Sequence, residues 1–179
     1  MASPRVNPAA SFARHVRLGA LAALLAMALP AVADTLPFAQ PRPQLYSAGQ
    51  PSAAQLQQAA DAGVTTVIDL RQPDEDRGFD ETAATERLGL RYVRIPVAGA
   101  AGLTDANARA LRTALAQSSG PVLVHCASGN RAGALLALLA LLNARDGASV
   151  EQALQLGRDA GMTSLEAPTR ALLEQAAAR

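Results

Sequence analysis

A six-residue segment in the second half of the chain combines a nucleophile with groups that bind anions. Cys126 is the only cysteine, and Arg131 follows it after four residues. Backbone N–H groups of a tight turn before a helix form an anion cradle, to which an arginine adds a bidentate fork. A thiolate in this positive field is stabilised and can attack a bound group. The segment therefore predicts a site that presents a tetrahedral oxyanion to sulfur. The residues expected to bind the oxyanion are Ala127, Ser128, Gly129, Asn130 and Arg131.

The rest of the composition excludes several other chemistries. After residue 33, His125 is the only histidine, and the sequence contains no lysine. A zinc site needs several His, Cys or carboxylate ligands together, so we expect no metal, and no motif indicates a cofactor. Neighbouring strand residues point to opposite faces. The His125 side chain should therefore point away from that of Cys126. We expect it to hydrogen-bond main-chain groups and so fix the loop, and not to act as a base for Cys126.

Strand and helix patterns alternate along the chain and must position this segment. Apolar and β-branched residues predict buried strands at 65–70, 90–97 and 122–125, after a short extended piece at 45–47. Capping and periodic patterns predict helices at about 52–63, 81–89, 104–118, 131–144 and 149–161, and a last one that ends by 178. This alternation indicates an α/β fold, with a parallel sheet covered by helices on both faces. The loops 71–78, 98–103 and 126–131 then meet at the carboxyl edge of the sheet, where ligands bind.

The first 33 residues have the pattern of a secretory signal peptide. Three arginines precede the apolar run 18–29, and Ala31-Val32-Ala33 is a small-residue cleavage site. The run is shorter than the ~20 residues that a membrane-spanning helix needs. We therefore predict a signal peptide at 1–33 and one domain at 34–179, exported to the periplasm or secreted, without membrane contact after cleavage.

The expected mature domain is slightly acidic. All fifteen acidic residues follow residue 33, against thirteen arginines, which gives a net charge of −2. Aromatic residues make up only 3% of the chain. A DNA-binding surface needs excess basic charge and a single-strand platform needs aromatic rings, so we expect no nucleic-acid partner.

The phosphate-binding loop of cysteine-dependent protein tyrosine and dual-specificity phosphatases resembles the segment His125-Cys126-Ala127-Ser128-Gly129-Asn130-Arg131. Those enzymes place five residues between the cysteine and the arginine, and usually Ser or Thr after the arginine, where this chain has four residues and Ala132. The stretches 46–52, 63–71 and 92–97 are similar to a bacterial phosphatase-like domain that also occurs in beta-lactamase hydrolase-like proteins. This similarity extends from about 45 to 173. It implies a cysteine-phosphatase-like fold and hydrolysis of a phosphorylated substrate of unspecified class through a thiophosphate on Cys126.

The resemblance also implies a general acid, which protonates the leaving oxygen. Related phosphatases carry an aspartate on the loop that here comprises residues 98–103, where this chain has no carboxylate. The remaining candidates are Asp105 and three acids of the 71–78 loop: Asp74, Glu75 and Asp76. We select Glu75 as the predicted acid.

The sequence is also compatible with two other functions. Four residues between Cys126 and Arg131 is the spacing of rhodanese-type sulfurtransferases, whose cysteine carries a persulfide. The missing acid favours a third interpretation, an oxyanion-binding module without turnover.

Overall fold

The computed structural model describes residues 36–143 and 149–178. The predicted signal peptide lies outside the described residues. The strands are β1 (Ala39–Arg42), β2 (Leu45–Ala48), β3 (Thr66–Asp69), β4 (Arg91–Arg94) and β5 (Val122–His125). The helices are α1 (Ala53–Asp61), α2 (Glu81–Arg87), α3 (Asp105–Ala116), α4 (Asn130–Asn143), α5 (Val150–Asp159) and α6 (Glu166–Ala177), with a 3₁₀ turn at Gly99–Gly102.

The five strands form one sheet in the order β1-β2-β5-β3-β4. The last four in this order are mutually parallel, and Thr66 of β3 pairs with Val122 on one side and Arg91 on the other. The predicted parallel α/β sheet is therefore confirmed. Strand β1 was not predicted; it pairs antiparallel with β2 at the edge of the sheet. Its Pro41 is tolerated there because an edge strand can lack a ladder donor.

Alternate side chains of the central strands enter two hydrophobic cores, one on each face of the sheet. Ile68 and Val124 belong to the larger core, which α3, α4, α5 and α6 cover. Val67 and Leu123 belong to the smaller core under α1 and α2. Both faces are buried, which explains why these strands are apolar throughout and do not alternate.

The helix starts follow the predicted caps. Ser52 with Gln55, and Ser149 with Gln152, form reciprocal capping boxes at α1 and α5. The hydroxyl of Thr104 caps α3. These contacts satisfy N–H groups that the first turn of a helix leaves unpaired.

Helix α4 starts in the anion-binding segment and continues through the larger core. Its residues 132–139 are all buried. Although α4 is apolar, no helix within residues 36–143 and 149–178 is long and apolar enough to cross a membrane.

Gly133 is a point of close approach between α4 and the α5 region. A Cβ atom at this position would lie 2.4 Å from the carbonyl oxygen of Gly157 and 2.5 Å from the backbone nitrogen of Met162. We expect Gly133→Ala to lower the free energy of unfolding by about 1–3 kcal/mol, because backbone atoms must move apart to admit the methyl group. Urea denaturation measures the change. At a roomy helical position the same substitution stabilises by about 1 kcal/mol, so a variant as stable as wild type would contradict this packing.

Candidate active site

Cys126 directly follows β5, at the carboxyl edge of the sheet, in the turn that leads into α4. Its side chain is buried, and the backbone N–H of Gly129 lies 3.1 Å from its Sγ. Gly129 has a φ of +86°, which glycine adopts without a Cβ clash. The Cys126 sulfur therefore lies inside the turn, in contact with a main-chain donor.

The turn at 126–131 has backbone donors free for an anion. Within the described residues, no acceptor lies on the N–H groups of Ser128, Asn130 and Arg131. The segment after β2 supports the turn, because the N–H of Gln50 donates to the carbonyl of Ala127 at 3.1 Å. Free N–H groups at a helix N-terminus bind oxyanions. The residues predicted to bind phosphate therefore lie in one turn that can act through its main chain. We call this turn the cradle.

Groups from two other loops hold Arg131. Its Nη1 and Nη2 donate to the two carboxylate oxygens of Glu75 at 2.5 and 2.6 Å, and Nη1 also donates to the carbonyl of Val97 at 3.1 Å. A guanidinium has five N–H donors in a planar fork. In the described part of the chain, these contacts leave Nε and the second Nη2 hydrogen without an oxygen acceptor, and the Arg131 side chain also interacts with the Cys126 sulfur. Those two donors share one edge of the group and suit a bidentate contact to an oxyanion.

The loop that carries Glu75 is folded around the guanidinium of Arg77. That group donates to the carbonyls of Gln72, Pro73 and Glu75 at 3.0, 3.2 and 3.0 Å, and to Oδ2 of Asp69 at 3.3 Å. The Glu75 carboxylate also accepts the N–H of Gln72 at 2.6 Å. Because the loop is tied at several points, little conformational entropy is lost when Glu75 binds Arg131.

This pairing does not fit the general-acid role predicted for Glu75. Hydrogen bonds from Arg131 lower the pKa of Glu75 to about 2, from an ordinary 4.5. A carboxylate without a proton at neutral pH cannot donate one. The geometry fits a positioning role instead, in which Glu75 orients Arg131. The sequence located Glu75 at the correct edge but not its partner, which is 56 residues away.

The lowered pKa of Glu75 predicts an acid-sensitive contribution to stability. The ion pair stabilises the fold fully above the unfolded pKa near 4.5 and progressively less as the pH falls towards 2. We expect Glu75→Gln to lower the free energy of unfolding by about 1–2 kcal/mol at neutral pH. The deficit should shrink at pH values below 4.5. Urea titrations at neutral and acid pH measure this, with Asp74→Asn as the control because Asp74 is exposed. A deficit independent of pH would contradict the ion pair.

Asn130 belongs to the turn predicted to bind phosphate, and its side chain contacts another loop. Its Oδ1 accepts the N–H groups of Thr163 and Leu165 at 2.9 and 3.2 Å, and its Nδ2 donates to the hydroxyl of Ser164 at 2.7 Å. These bonds tie the segment between α5 and α6 to the cradle. Asn130 can therefore contribute its backbone N–H to an anion, while its side chain braces the turn.

A cluster of buried charges adjoins the cradle. Arg71 donates to Asp69 through Nε at 2.9 Å and Nη2 at 3.0 Å, and its Nη2 also donates to Glu81. Nε2 of His125 lies 2.9 Å from Oε1 of Glu81, within ion-pair distance but without hydrogen-bond geometry. The hydroxyl of Tyr92 donates to Asp69 at 2.7 Å. The contacts of Glu81 and Tyr92 at this edge were not predicted from the sequence, because each residue lies on a separate element.

The spacing of this cluster alone would allow a metal, but its contacts fit a structural brace. Ligand atoms of Asp69, Glu81 and His125 lie within 4.8 Å of one another. The Arg71 guanidinium already binds both carboxylates. Burial by itself would raise the pKa of Asp69, but bonds from Arg71 and Tyr92 outweigh it and hold that pKa well below its ordinary value. The backbone contact expected for His125 is a long one, 3.5 Å from Nδ1 to the carbonyl of Cys126.

The other candidate acids have contacts of their own. Asp105 begins α3 and lies 3.9 Å from Arg109, Asp74 is exposed, and Asp76 accepts the N–H of Gly78 at 2.8 Å. In the structure as described, no hydrogen bond or ion pair joins Asp74, Asp76 or Asp105 to the cradle.

Comparison with known proteins assigns the family. The sequence profile of the phosphatase-like domain of beta-lactamase hydrolase-like proteins matches residues 38–142. The chain belongs to this family. It is 37% identical over 106 residues to the beta-lactamase hydrolase-like protein of Xylella fastidiosa, a match that covers 57% of this chain and 24% of that relative. The chain thus corresponds to about a quarter of the length of that protein.

Solved structures confirm the expected cysteine-phosphatase-like fold. A candidate phosphatase from Neisseria meningitidis superimposes with a TM-score of 0.64 at 25% identity, over 78% of this chain and 97% of that chain. Tk-PTP in its active form matches with a TM-score of 0.58 at 19% identity, over 77% and 96%; at this identity the match shows the fold alone. The chain is therefore a member of the phosphatase-like family and has the fold of these solved structures.

Proposed function

We propose that this phosphatase-like domain is a cysteine-dependent phosphatase that hydrolyses phosphate monoesters through a thiophosphate on Cys126. One observation carries the proposal: Sγ, free main-chain donors and an oriented Arg131 belong to a single turn. Membership of the phosphatase-like family supports it. No metal or cofactor enters the proposed reaction.

The proposed reaction has two displacements at phosphorus. The Cys126 thiolate forms an S–P bond with its electron pair while the bond to the leaving oxygen breaks, and that oxygen departs with its own pair. The N–H groups of the cradle and the free edge of Arg131 bind the equatorial oxygens, where charge accumulates in the transition state. Water then attacks the thiophosphate, releases phosphate and a proton, and regenerates the thiolate. Glu75 keeps Arg131 oriented during both steps.

A second candidate is sulfur transfer through a persulfide on Cys126. The four-residue spacing between Cys126 and Arg131 favours it. The loop at 98–101 also favours it, because this loop has no proton donor and sulfur transfer from thiosulfate needs none. Thiosulfate would donate its outer sulfur to the thiolate and release sulfite, an anion that leaves without a proton. The same cradle would bind the sulfonate oxygens.

Two parallel assays distinguish these reactions. Purified, reduced protein is given 4-nitrophenyl phosphate in one, and thiosulfate with cyanide as acceptor in the other. Release of inorganic phosphate supports the phosphatase, and release of thiocyanate supports the sulfurtransferase. Mass spectrometry of acid-quenched protein identifies the adduct on Cys126 as a phosphoryl group or as an added sulfur. If neither product forms while phosphate binds, the proposal fails in favour of an anion-binding module.

We also propose that the protein is exported and acts outside the cytoplasm on a phosphorylated partner. The N-terminal pattern of arginines, an apolar run and Ala31-Val32-Ala33 supports export. Mass spectrometry of the protein from a periplasmic extract tests this: a mature N-terminus at Asp34 is expected. Recovery from the cytoplasm with the first 33 residues intact would contradict it.

A further inference from the structure

The rim of the cradle formed by residues 98–101 carries no side chain that can transfer a proton. It consists of Ala98, Gly99, Ala100 and Ala101, all exposed. The rim is fixed beside the cradle at its start, because the carbonyl of Val97 accepts from Arg131 at 3.1 Å. With its amide group oriented so that the oxygen faces the main-chain donors, Gln72 accepts the N–H of Ala98 at 2.9 Å.

The buried and partly buried acidic side chains around the cradle are bound to arginines. The two oxygens of Glu75 bind Arg131, while Asp69 and Glu81 bind the buried Arg71. A carboxylate bound to a guanidinium keeps its charge and has no proton to release. Loop carboxylates Asp74 and Asp76, and Asp105 at the start of α3, make no bond to the cradle within the described residues.

Other titratable groups near the cradle are engaged as well. The Tyr92 hydroxyl already donates to Asp69, and burial together with this bond raises the pKa of Tyr92. His125 is fully buried beside Glu81. Arginines do not release protons at physiological pH. The described site can therefore bind and attack a phosphoryl group, but it cannot protonate what leaves.

Resting on the proposed phosphatase activity, we infer that the site selects phosphoryl compounds whose leaving group departs as a weakly basic anion. These are acyl phosphates, phosphoanhydrides and acidic aryl phosphates, as opposed to alkyl phosphate esters. In each, the S–P bond forms as the P–O bond breaks, and the leaving oxygen keeps the electron pair without taking a proton. A carboxylate or phosphate tolerates that charge, whereas an alkoxide does not.

The surroundings of the cradle further favour acyl phosphates and phosphoanhydrides. The four aromatic residues in the described part of the chain, Phe38, Tyr46, Phe79 and Tyr92, pack in the smaller core under α1 and α2. None of these four side chains is therefore placed to stack against the phenyl ring of a substrate bound in the cradle. The small, exposed rim leaves room for a hydrated carboxylate or second phosphate.

A series of substrates tests this selectivity. kcat/KM is measured for acetyl phosphate, pyrophosphate, 4-nitrophenyl phosphate, phenyl phosphate and a simple alkyl phosphate. A positioned general acid is worth about 10²–10⁴-fold in rate, and its benefit is largest for the most basic leaving group. We therefore expect kcat/KM to fall by about 10²-fold or more from the nitrophenyl to the phenyl ester, whose phenol has a pKa of about 10. The alkyl ester should be the poorest substrate and acetyl phosphate among the best.

Each substrate is also assayed with Cys126→Ser, and the dependence on leaving group is repeated with Asp74→Asn, Asp76→Asn and Asp105→Asn. These three variants should keep the wild-type slope. Similar kcat/KM for phenyl and nitrophenyl esters, or a slope that steepens in one carboxylate variant, would reveal an acid and overturn the inference while leaving the phosphatase intact. Absence of Cys126-dependent phosphate release from every compound would instead overturn the proposed function itself.

Discussion

Replacement of Cys126 by serine is expected to lower kcat by on the order of 10⁶-fold, the scale of loss seen when a catalytic nucleophile is removed. A serine hydroxyl stays protonated where a thiol can ionise, and no base in the described site contacts residue 126. The cradle itself should survive, because its donors are main-chain groups and Arg131. Steady-state turnover of 4-nitrophenyl phosphate measures the loss, and calorimetric titration with inorganic phosphate measures the retained binding.

A contrasting variant makes this result specific. In Arg131→Lys the planar fork is lost, so Glu75 and an oxyanion can no longer be bound by two edges of one group. We expect this variant to lose both phosphate affinity and turnover, whereas Cys126→Ser loses turnover alone. Thermal melting of both variants checks that the fold is intact. Undiminished turnover by Cys126→Ser would remove the thiolate from the mechanism.

Replacement of Arg71 by methionine is expected to lower the free energy of unfolding by about 3–5 kcal/mol, the usual consequence of removing one partner from a buried ion pair. Asp69 and Glu81 are at most 1% exposed, and both bind the Arg71 guanidinium. Domains are stable by only about 5–15 kcal/mol, so the variant should melt far below wild type. Chemical denaturation followed by circular dichroism measures the difference.

The matched control is the same substitution at an exposed ion pair. Arg109 is 59% exposed and lies 3.9 Å from Asp105, and Arg109→Met should change stability by less than about 1 kcal/mol. The pH dependence of the stability difference between Arg71→Met and wild type is a second measurement. Burial raises the pKa of Asp69 and the bonds from Arg71 oppose this, so without Arg71 the carboxylate gains a proton more readily as the pH falls, and the deficit of Arg71→Met should narrow. Equal, small losses in both variants would show that the buried cluster is not a stabilising brace.

Much of the fold could be predicted because its determinants are local. The capping boxes at Ser52 and Ser149 use residues three apart, and the strand around Ile68 is a short apolar run. The turn from Cys126 to Arg131 is likewise contiguous, so its nucleophile, its donors and its arginine could all be named. Strand β1 was missed because pairing with β2, and not its own composition, makes it a strand.

The roles of individual acids could not be predicted in the same way. Glu75 was selected as a proton donor from its position at the sheet edge. Only its contact with Arg131 shows that it is an ionised partner of the cradle. Asn130 was predicted only as a member of the anion-binding turn, and the contact of its side chain with the segment at 163–165 could not be predicted from the sequence.

The sequence by itself determined the parallel α/β architecture, the family and the turn that joins Cys126 to Arg131. Each of these depends on residues close together in the chain or on a pattern repeated along it. Tertiary structure alone decided which charges meet: Glu75 with Arg131, and Arg71 with both Asp69 and Glu81. The physical reason is that a charged side chain acquires its protonation and its role from the groups within a few ångströms of it, and folding brings those groups from distant parts of the chain.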